Sequence, residues 1–382
     1  MIHQPLLFAP FDLKGIKIPN RVVISPMCQY SANDGFLDTW HKIHLGRFVM
    51  GGAGIVFTEA TAVNKSGRIT HGCPGLWSDS QIAGHAAITS FARSHGSIPA
   101  LQLAHAGRKA GMQRPWHGNN VLTEADFARG DMPWPIFGPS ALPVDRGWPV
   151  PSEMTKADIH NICNDFASSA KRALQAGYEI IEVHGAHGYL LHSFLSPLSN
   201  QRSDAYGGSL KKRMRLPLEV TEAVRAAWPE NRPLFFRISA VDGTLKGWQL
   251  ADTICLAKEL KGLGVDVIDC SSGGISGSAT AGKSQKIQPG FQVPYAAEVR
   301  EKVKIPTMSV GLITHPIQAE LILQNKSSDL VAIGREALAN PNWPLHAREI
   351  LCENEKFDHW PKQSGWWLKR REKSSELYKA KS

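Results

Sequence analysis

Eight short apolar runs, rich in β-branched residues, recur along the chain, and a helix-like segment follows each one. Apolar residues on both faces of such runs are typical of parallel strands that helices cover on both sides. Eight strand–helix units in roughly 330 residues favour a closed (β/α)8 TIM barrel over an open doubly wound sheet. An open sheet would also be expected to carry a GxGxxG turn after its first strand, which is absent. The runs are Arg21–Met27, Gly54–Ala60, Pro99–His105, Tyr178–Gly185, Leu234–Ala240, Val265–Cys270, Pro306–Gly311 and Leu330–Arg335.

Two segments lie outside these repeating units. Leu6–Pro19 precedes the first strand and is predicted to form a β-hairpin that caps the bottom of the barrel. Gly107–Pro151 is rich in Pro, Gly and Trp and follows the third strand, so it is predicted to be a long loop over the top face, where barrel active sites are built. We therefore expect one barrel over residues 1–351 and a C-terminal tail over residues 352–382.

Composition excludes several classes of protein. No stretch of about 18 apolar residues exists, and the N-terminus has no signal-peptide pattern, so we expect a cytoplasmic protein without membrane contact. The six cysteines are scattered without a CxxC pair, which argues against a disulfide framework and against a zinc or iron–sulfur cluster.

The net charge of +9 has local peaks at Lys211–Arg215 and Lys369–Arg371. We interpret these as solvated surfaces, with attraction of phosphorylated ligands as the alternative. Nucleic-acid binding is not expected, because no recognition motif accompanies the charge. Gly277–Ser284 matches the phosphate loop GxxxxGK[ST], but too few residues precede Pro289 for the helix that this loop requires, so we interpret the match as accidental.

Polar residues at the carboxyl ends of the strands are the candidates for chemistry. His184 and His187 follow the fourth strand, beside Tyr189. The two imidazoles could bind a metal, or they could donate hydrogen bonds to a substrate oxygen while Tyr189 supplies a proton. A metal barrel would want carboxylate ligands from other strands, and only Glu59 is well placed in the sequence.

Two further features indicate an anionic ligand. Gly311, Gly334 and Arg335 follow the seventh and eighth strands, where backbone N–H groups and a guanidinium form the phosphate site of many barrels. Arg237 lies within the fifth strand, where a buried cation needs an anionic partner. No nearby acid is obvious from the sequence, so a cofactor that becomes anionic on reduction would serve.

Several long motifs resemble the Old Yellow Enzyme family, and more narrowly its thermophilic-like branch, which includes bacterial xenobiotic reductases. The resemblance runs from about Leu6 to about Arg371. The motifs are SPMCQYSA (Ser25–Ala32), GGAGIVFTEATAV (Gly51–Val63), QLAHAGRKA (Gln102–Ala110), HGAHGYLLHSFLSPLSNQRSDAYGG (His184–Gly208) and the Gly334-Arg335 pair.

The resemblance implies an FMN across the barrel mouth. Gln102 would bind the pyrimidine edge, and Arg237 would stabilise the reduced anion. His184 and His187 would bind the substrate oxygen, and Tyr30 would close the pocket. The isoalloxazine would be lined by Ser25, Pro26, Met27, Cys28 and Ala60, and the phosphate would be held by Gly311, Gly334 and Arg335.

The resemblance also implies a ping-pong ene-reductase. NADPH or NADH would give hydride to flavin N5, and an α,β-unsaturated carbonyl or nitro compound would then accept it at the β-carbon while Tyr189 protonates the α-carbon. In this branch a C-terminal Arg of a neighbouring subunit often reaches the site. The segment Trp366–Arg370 resembles that ending, which implies roles for Trp367 and Arg370 in a homodimer or homotetramer. The double Trp and the adjacent Arg371 depart from the usual pattern.

Three alternatives stay open on the sequence. The same flavin and pocket would serve an enzyme that oxidises its substrate, for instance by demethylating an amine. His184 and His187 would serve a metal-dependent hydrolase or lyase barrel. A non-catalytic scaffold is disfavoured, because polar groups are concentrated at the strand ends.

Overall fold

The structure is a computed structural model that describes residues 4–277, 287–352 and 356–379, so most of the GxxxxGK[ST] match lies outside the described residues. The strands are β1 Phe11–Leu13, β2 Ile16–Ile18, β3 Val22–Ile24, β4 Ile55–Ala62, β5 Ile98–Ala104, β6 Phe137–Gly138, β7 Ser152–Glu153, β8 Ile180–Gly185, β9 Leu234–Ser239, β10 Val267–Ser271, β11 Thr307–Ser309 and β12 Leu330–Ile333. The α-helices are α1 Thr39–Met50, α2 Ile82–Ser94, α3 Glu124–Ala128, α4 Lys156–Gln175, α5 Leu190–Leu195, α6 Leu210–Ala227, α7 Leu250–Gly262, α8 Val293–Val303, α9 Pro316–Gln324, α10 Arg335–Ala339, α11 Trp343–Leu351 and α12 Lys362–Lys379. Short 3₁₀ helices span Leu6–Phe8, Lys65–Gly67, Asp79–Gln81, Gly107–Lys109 and Pro115–His117.

The predicted barrel is confirmed. Strands β3, β4, β5, β8, β9, β10, β11 and β12 pair in parallel, and β12 pairs with β3 to close the sheet, with Ile333 opposite Ile24. Each barrel strand lies within or overlaps one of the eight runs predicted from the sequence. Closure places the carboxyl ends of these strands around one mouth of the barrel.

The interior of the barrel is apolar at its lower end. Inward-facing side chains that include Phe57, Ile180 and Phe235 form one buried cluster. The predicted hairpin is confirmed as the antiparallel pair β1–β2, and Leu13 and Ile18 pack against this same cluster. The hairpin therefore closes the bottom of the barrel, and the open mouth lies at the opposite end.

Residues 107–151 form the predicted loop over the mouth. Arg202, beyond the fourth barrel strand, donates hydrogen bonds to the carbonyls of Pro139 and Met154 at 3.0 and 2.7 Å, which fastens the far end of the loop. Near its start, the Trp116 ring makes an edge contact with Tyr30, with centroids 6.1 Å apart. The loop thus lies beside residues that follow the first strand.

The tail packs on helix α11 rather than over the mouth. The indole nitrogen of Trp360 donates to Glu349 at 2.7 Å, and the exposed fractions of Trp366 and Trp367 are 50% and 66%. Within the described ranges, no helix combines the length and apolar character that crossing a bilayer would demand.

The apolar lower layer generates a stability prediction. Ile180→Ala removes a side chain with no exposed surface and should lower the free energy of unfolding by about 2–5 kcal/mol, because a cavity remains. Ile43→Ala is the matched control, since Ile43 on α1 is 66% exposed and its truncation should cost no more than about 0.5 kcal/mol. Urea unfolding followed by circular dichroism measures both. Equal losses would contradict the burial argument.

Candidate active site at the barrel mouth

A cavity of about 590 Å³ opens at the carboxyl ends of the strands. Its volume is within the range of about 300–1,000 Å³ that is typical of ligand pockets. His187 and Arg237 lie at one part of its wall, and Gly311, Gly334 and Arg335 lie at another. The structure therefore brings the predicted histidine, cation and phosphate groups to one cavity.

The predicted phosphate end has the space that a ligand needs. Gly311 has a φ of +118°, and a Cβ there would lie 2.8 Å from Oε1 of Gln292, so a larger residue would be strained and crowded. At Gly334 a Cβ would meet only Sδ of Met27, at 3.6 Å. The side chain of Arg335 begins helix α10 beside these glycines and is exposed to solvent. Accessible backbone at the glycines and an exposed guanidinium match the needs of a phosphate group.

A chain of buried polar side chains crosses the barrel beneath the cavity. Gln102 donates from Nε2 to Oε1 of Glu182 at 2.7 Å. The carboxyl groups of Glu182 and Asp269 lie close enough for their charges to interact, and Oδ2 of Asp269 lies 3.1 Å from Nε of Arg237. Arg237 in turn donates from Nη1 to Oγ of Ser25 at 3.4 Å. Four barrel strands and the residue that follows β3 are joined in this way.

One proton must be shared within this chain. Two carboxylates in contact cannot both be ionised in a buried site, because their repulsion is not screened by water. Burial raises the pKa of Glu182 well above its usual range, and the negative charge of Asp269 raises it further. Burial also raises the pKa of Asp269, but the Arg237 guanidinium counteracts that shift. We therefore assign the proton to Glu182, whereas Asp269 pairs with Arg237 as a carboxylate.

The sequence did not reveal the acid that pairs with Arg237, and the structure supplies it within the protein. Asp269 lies directly opposite Arg237 in the register of β9 and β10. The signal was present in the sequence, because Glu182 and Asp269 each lie between two apolar residues within a strand. To use this signal, one must know which residues of neighbouring strands face inward at the same level. That becomes clear only when the register of the strands is known.

His184, His187 and Tyr189 converge as predicted. The His184 ring meets the rings of His187 and Tyr189 edge to face, with centroids 5.1 Å apart in both cases. Burial, and next the charge of Arg237, lowers the pKa of both histidines well below the usual value, so both rings are neutral at pH 7. Nδ1 of His184 accepts from the Ala186 N–H at 3.2 Å, which places the single ring proton on Nε2.

Other contacts limit what the histidine pair can bind. Nε2 of His187 is 2.7 Å from the hydroxyl of Ser271, which leaves Nδ1 for a ligand. Throughout the part of the chain that the structure describes, no three His, Cys, Asp or Glu side chains are grouped to hold a metal ion. The arrangement offers polar N–H and O–H groups to one small acceptor atom.

An apolar wall lies next to the tyrosine. Ala60 and Tyr189 belong to one buried cluster, against which Cys28 and Tyr30 pack. Burial raises the pKa of the Cys28 thiol well above its usual range, so it remains a thiol, and Tyr30 is hydrogen-bonded to it. Below this wall, Glu59 accepts a hydrogen bond from the Gln29 N–H at 2.8 Å and so holds the turn after the first strand.

The residues present fit the FMN that the sequence implies. A planar ring would find Pro26 and Met27 on the cavity wall, with the buried guanidinium of Arg237 at the same surface. The glycine-lined end and Arg335 suit a phosphate. Trp367 and Arg370, which were predicted to reach a neighbouring site, are not among the residues that line the cavity, and the Arg370 guanidinium stacks on Trp366 at 4.0 Å.

Comparisons with known proteins agree with this arrangement. Residues 6–354 match the model of the NADH:flavin oxidoreductase / NADH oxidase family. An NADPH dehydrogenase from Geobacillus sp. (strain WCH70) is 44% identical over 350 residues, which cover 91% of this chain and 95% of that protein.

Two solved structures resemble the fold closely. Morphinone reductase superposes with a TM-score of 0.75 at 26% identity, covering 91% of this chain and 90% of that chain. Histamine dehydrogenase from Rhizobium sp. 4-9 superposes with a TM-score of 0.74 at 27% identity, covering 91% of this chain but only 48% of that longer chain.

The shared proton generates a prediction about the buried chain of side chains. Glu182→Gln should change the free energy of unfolding by no more than about 1 kcal/mol, because a neutral amide can still accept from Gln102 and donate to Asp269. Adding Asp269→Asn removes the last anion of the pair and leaves Arg237 uncompensated, which should cost about 3–5 kcal/mol more. Urea unfolding at pH 7 measures both steps. A larger loss in the first step than in the second would contradict this assignment of the proton.

Proposed function

This chain belongs to the NADH:flavin oxidoreductase / NADH oxidase family, the Old Yellow Enzyme family, and is an NAD(P)H-dependent FMN oxidoreductase; from that premise we propose that it reduces the activated C=C bond of α,β-unsaturated carbonyl or nitro compounds. The observation that carries the proposal is the convergence of two neutral imidazoles and one phenol, His184, His187 and Tyr189, beside the cavity. Such a set suits an uncharged substrate with one polar oxygen.

FMN, when bound, supplies the redox chemistry, taking two electrons from NAD(P)H and passing them to the second substrate. The protein's own residues hold it. Gln102 and Arg237 would contact its polar edge, where the proton on Glu182 fixes the direction in which the Gln102 amide points. The ring would be lined by Ser25, Pro26, Met27, Cys28 and Ala60, and the phosphate would be bound by Gly311, Gly334 and Arg335. NAD(P)H and the alkene would occupy the same cavity in turn.

The histidine pair binds and polarises the substrate. Nε2–H of His184 donates to the carbonyl or nitro oxygen, and Nδ1 of His187 lies free for the same oxygen. Because the donor on His184 is fixed before the substrate arrives, it stabilises the negative charge that develops on the oxygen without reorganisation. Tyr30 covers the bound substrate from the side of the loop that carries Trp116.

Tyr189 is the proton donor. Burial raises the pKa of its phenol well above the usual value, so the hydroxyl keeps its proton at neutral pH and can act only as an acid. It delivers this proton to the α-carbon while the β-carbon is reduced. Water is excluded by the apolar wall of Ala60 and Cys28.

Oxidation of an amine is the second candidate, favoured by the likeness to histamine dehydrogenase. The charges of the cavity argue against it. An ammonium substrate would need an anionic partner, and among the residues that the structure describes Glu336 is the only acidic one that lines the cavity.

The experiment that tests the proposal separates the two half-reactions. NADPH is added anaerobically to the purified flavoprotein, and cyclohex-2-enone is added after the flavin absorbance has bleached. Recovery of the absorbance with formation of cyclohexanone supports the proposal. Bleaching by a primary amine but not by NADPH would favour the second candidate.

Tyr189→Phe should affect only one half-reaction. Loss of the proton donor should slow reoxidation by the enone about 10²–10⁴-fold, the usual contribution of a general acid. Bleaching by NADPH should keep its rate, since it needs no proton from Tyr189. Stopped-flow flavin absorbance measures both rates. Equal losses in the two half-reactions would remove Tyr189 from this role.

The C-terminal helix contributes to a neighbouring site in a homodimer or homotetramer. The exposed Trp366 and Trp367 form an aromatic surface on α12, and Arg370 lies on it. Arg370→Ala should raise KM for the enone about tenfold or more, the value of one charge-assisted hydrogen bond, and Arg371→Ala should not. Steady-state kinetics checks this, with light scattering to monitor the oligomer. The reverse order would assign the role to Arg371.

A further inference from the structure

The peptide group between His187 and Gly188 lies between two residues of the proposed chemistry, His187 and Tyr189. It has an unusual backbone conformation. His187 has a φ of +60° and Gly188 a φ of +74°, so two consecutive residues lie in the left-handed region. A non-glycine residue rarely adopts this conformation, and it persists only where surrounding contacts hold it. The contacts that hold this peptide come from residues with no role in the proposed chemistry.

Lys109 holds the carbonyl end of the peptide. Its Nζ donates to the carbonyl oxygen of His187 at 2.9 Å and also to that of Gly274, in the loop after β10. The side chain is fully buried, and its ammonium has no ion pair with a carboxylate among the described residues. Burial, and next the charge of Arg108, lowers the pKa of Lys109 to about 7. Burial of this ammonium therefore costs free energy of folding, and the two carbonyl groups that it binds are its only described partners.

His192 holds the N–H end of the same peptide. Nδ1 of His192 accepts from the Gly188 N–H at 2.8 Å, and Nε2 lies 2.9 Å from Oδ1 of Asp242. Asp242 also accepts hydrogen bonds from Ser196 and from the Trp248 N–H, at 2.6 and 2.7 Å. These contacts fix the tautomer of His192, with its proton on Nε2 and its acceptor directed at Gly188.

The space around the peptide is filled. A Cβ on Gly188 would lie 2.2 Å from the carbonyl oxygen of Gly274 and 2.9 Å from Cε of Lys109. A Cβ on Gly274 would lie 2.6 Å from Cα of His187. The loops after β8 and β10 are thus in direct backbone contact, and Lys109 bridges them.

We propose that Lys109 and the His192–Asp242 pair are positioning residues. They hydrogen-bond to the two ends of the His187–Gly188 peptide and so orient His187 and Tyr189 towards the substrate. The role of His187 and Tyr189 rests on the proposed function, but the contacts of Lys109 and His192 with the peptide do not. His187 precedes the held peptide and Tyr189 follows it, so a rotation of this one group would turn both side chains away from a common target.

Two pairs of variants test the proposal. Lys109→Met keeps the length of the side chain and removes the donor, and Lys171→Met on the exposed face of α4 is its matched control. His192→Phe removes the acceptor, whereas His192→Asn can place an oxygen near the position of Nδ1 and serves as the rescue. Hydrogen exchange at the Gly188 amide is measured first, because it requires neither flavin nor substrate.

We expect a protected Gly188 amide in the unmodified protein and in Lys171→Met, and faster exchange in Lys109→Met and His192→Phe. The dissociation constant of cyclohex-2-enone for the oxidised flavoprotein, followed by flavin absorbance, should rise about tenfold in those two variants. His192→Asn should recover most of both signals. The dissociation constant of FMN should not change, because the peptide lies at the substrate side of the cavity.

Each opposite result has its own meaning. A Gly188 amide that exchanges freely in the unmodified protein would overturn the proposal, as would unchanged enone binding in both Lys109→Met and His192→Phe. If Lys109→Met or His192→Phe is unfolded by circular dichroism, the folded variant of the two decides, together with the exchange at Gly188 in the unmodified protein. If the enone does not reoxidise the reduced unmodified protein, the proposed function is refuted. Exchange at the Gly188 amide would still test whether Lys109 and His192 hold the peptide.

Discussion

Closure of the parallel sheet is the constraint on which the whole site depends. Once β12 pairs with β3, every strand delivers its carboxyl end to one mouth, and the hairpin β1–β2 seals the other end. Inward-facing residues are apolar near the bottom, as at Phe235, and polar one step higher, as at Arg237. This change from an apolar to a polar layer converts a packed core into a binding surface within two residues of one strand.

The charged side chains that are buried below the barrel mouth are stabilised by specific partners. Asp269 pairs with Arg237, and a proton on Glu182 removes the repulsion that two carboxylates would suffer. Burial and the charge of Arg237 also keep His184 and His187 neutral. Donors that are fixed in advance stabilise developing charge better than water, which must reorganise. The proposed chemistry therefore depends on protonation states that burial sets.

Much of the fold and part of the site could be predicted from sequence. All eight strands, the hairpin and the long loop were foreseen, because apolar runs and turn residues are local signals. The shared cavity of His187, Arg237, Gly311, Gly334 and Arg335 was also foreseen, since strand ends meet at one face of a barrel. The partner of Arg237 was missed, and so were the contacts of Lys109 and His192 with one peptide group.

The order of amino acids fixes which segments become strands and which residues stand at their ends, because strand formation and burial follow patterns a few residues long. It does not show that Asp269 faces Arg237 or that Lys109 reaches the carbonyl of His187, 78 positions away in the chain. Those contacts follow from the register of paired strands and from the close approach of Gly188 to Gly274. Contacts between residues that are far apart in the chain form only when the sheet closes. The protonation states of the buried groups are also set then, since water is excluded from between them.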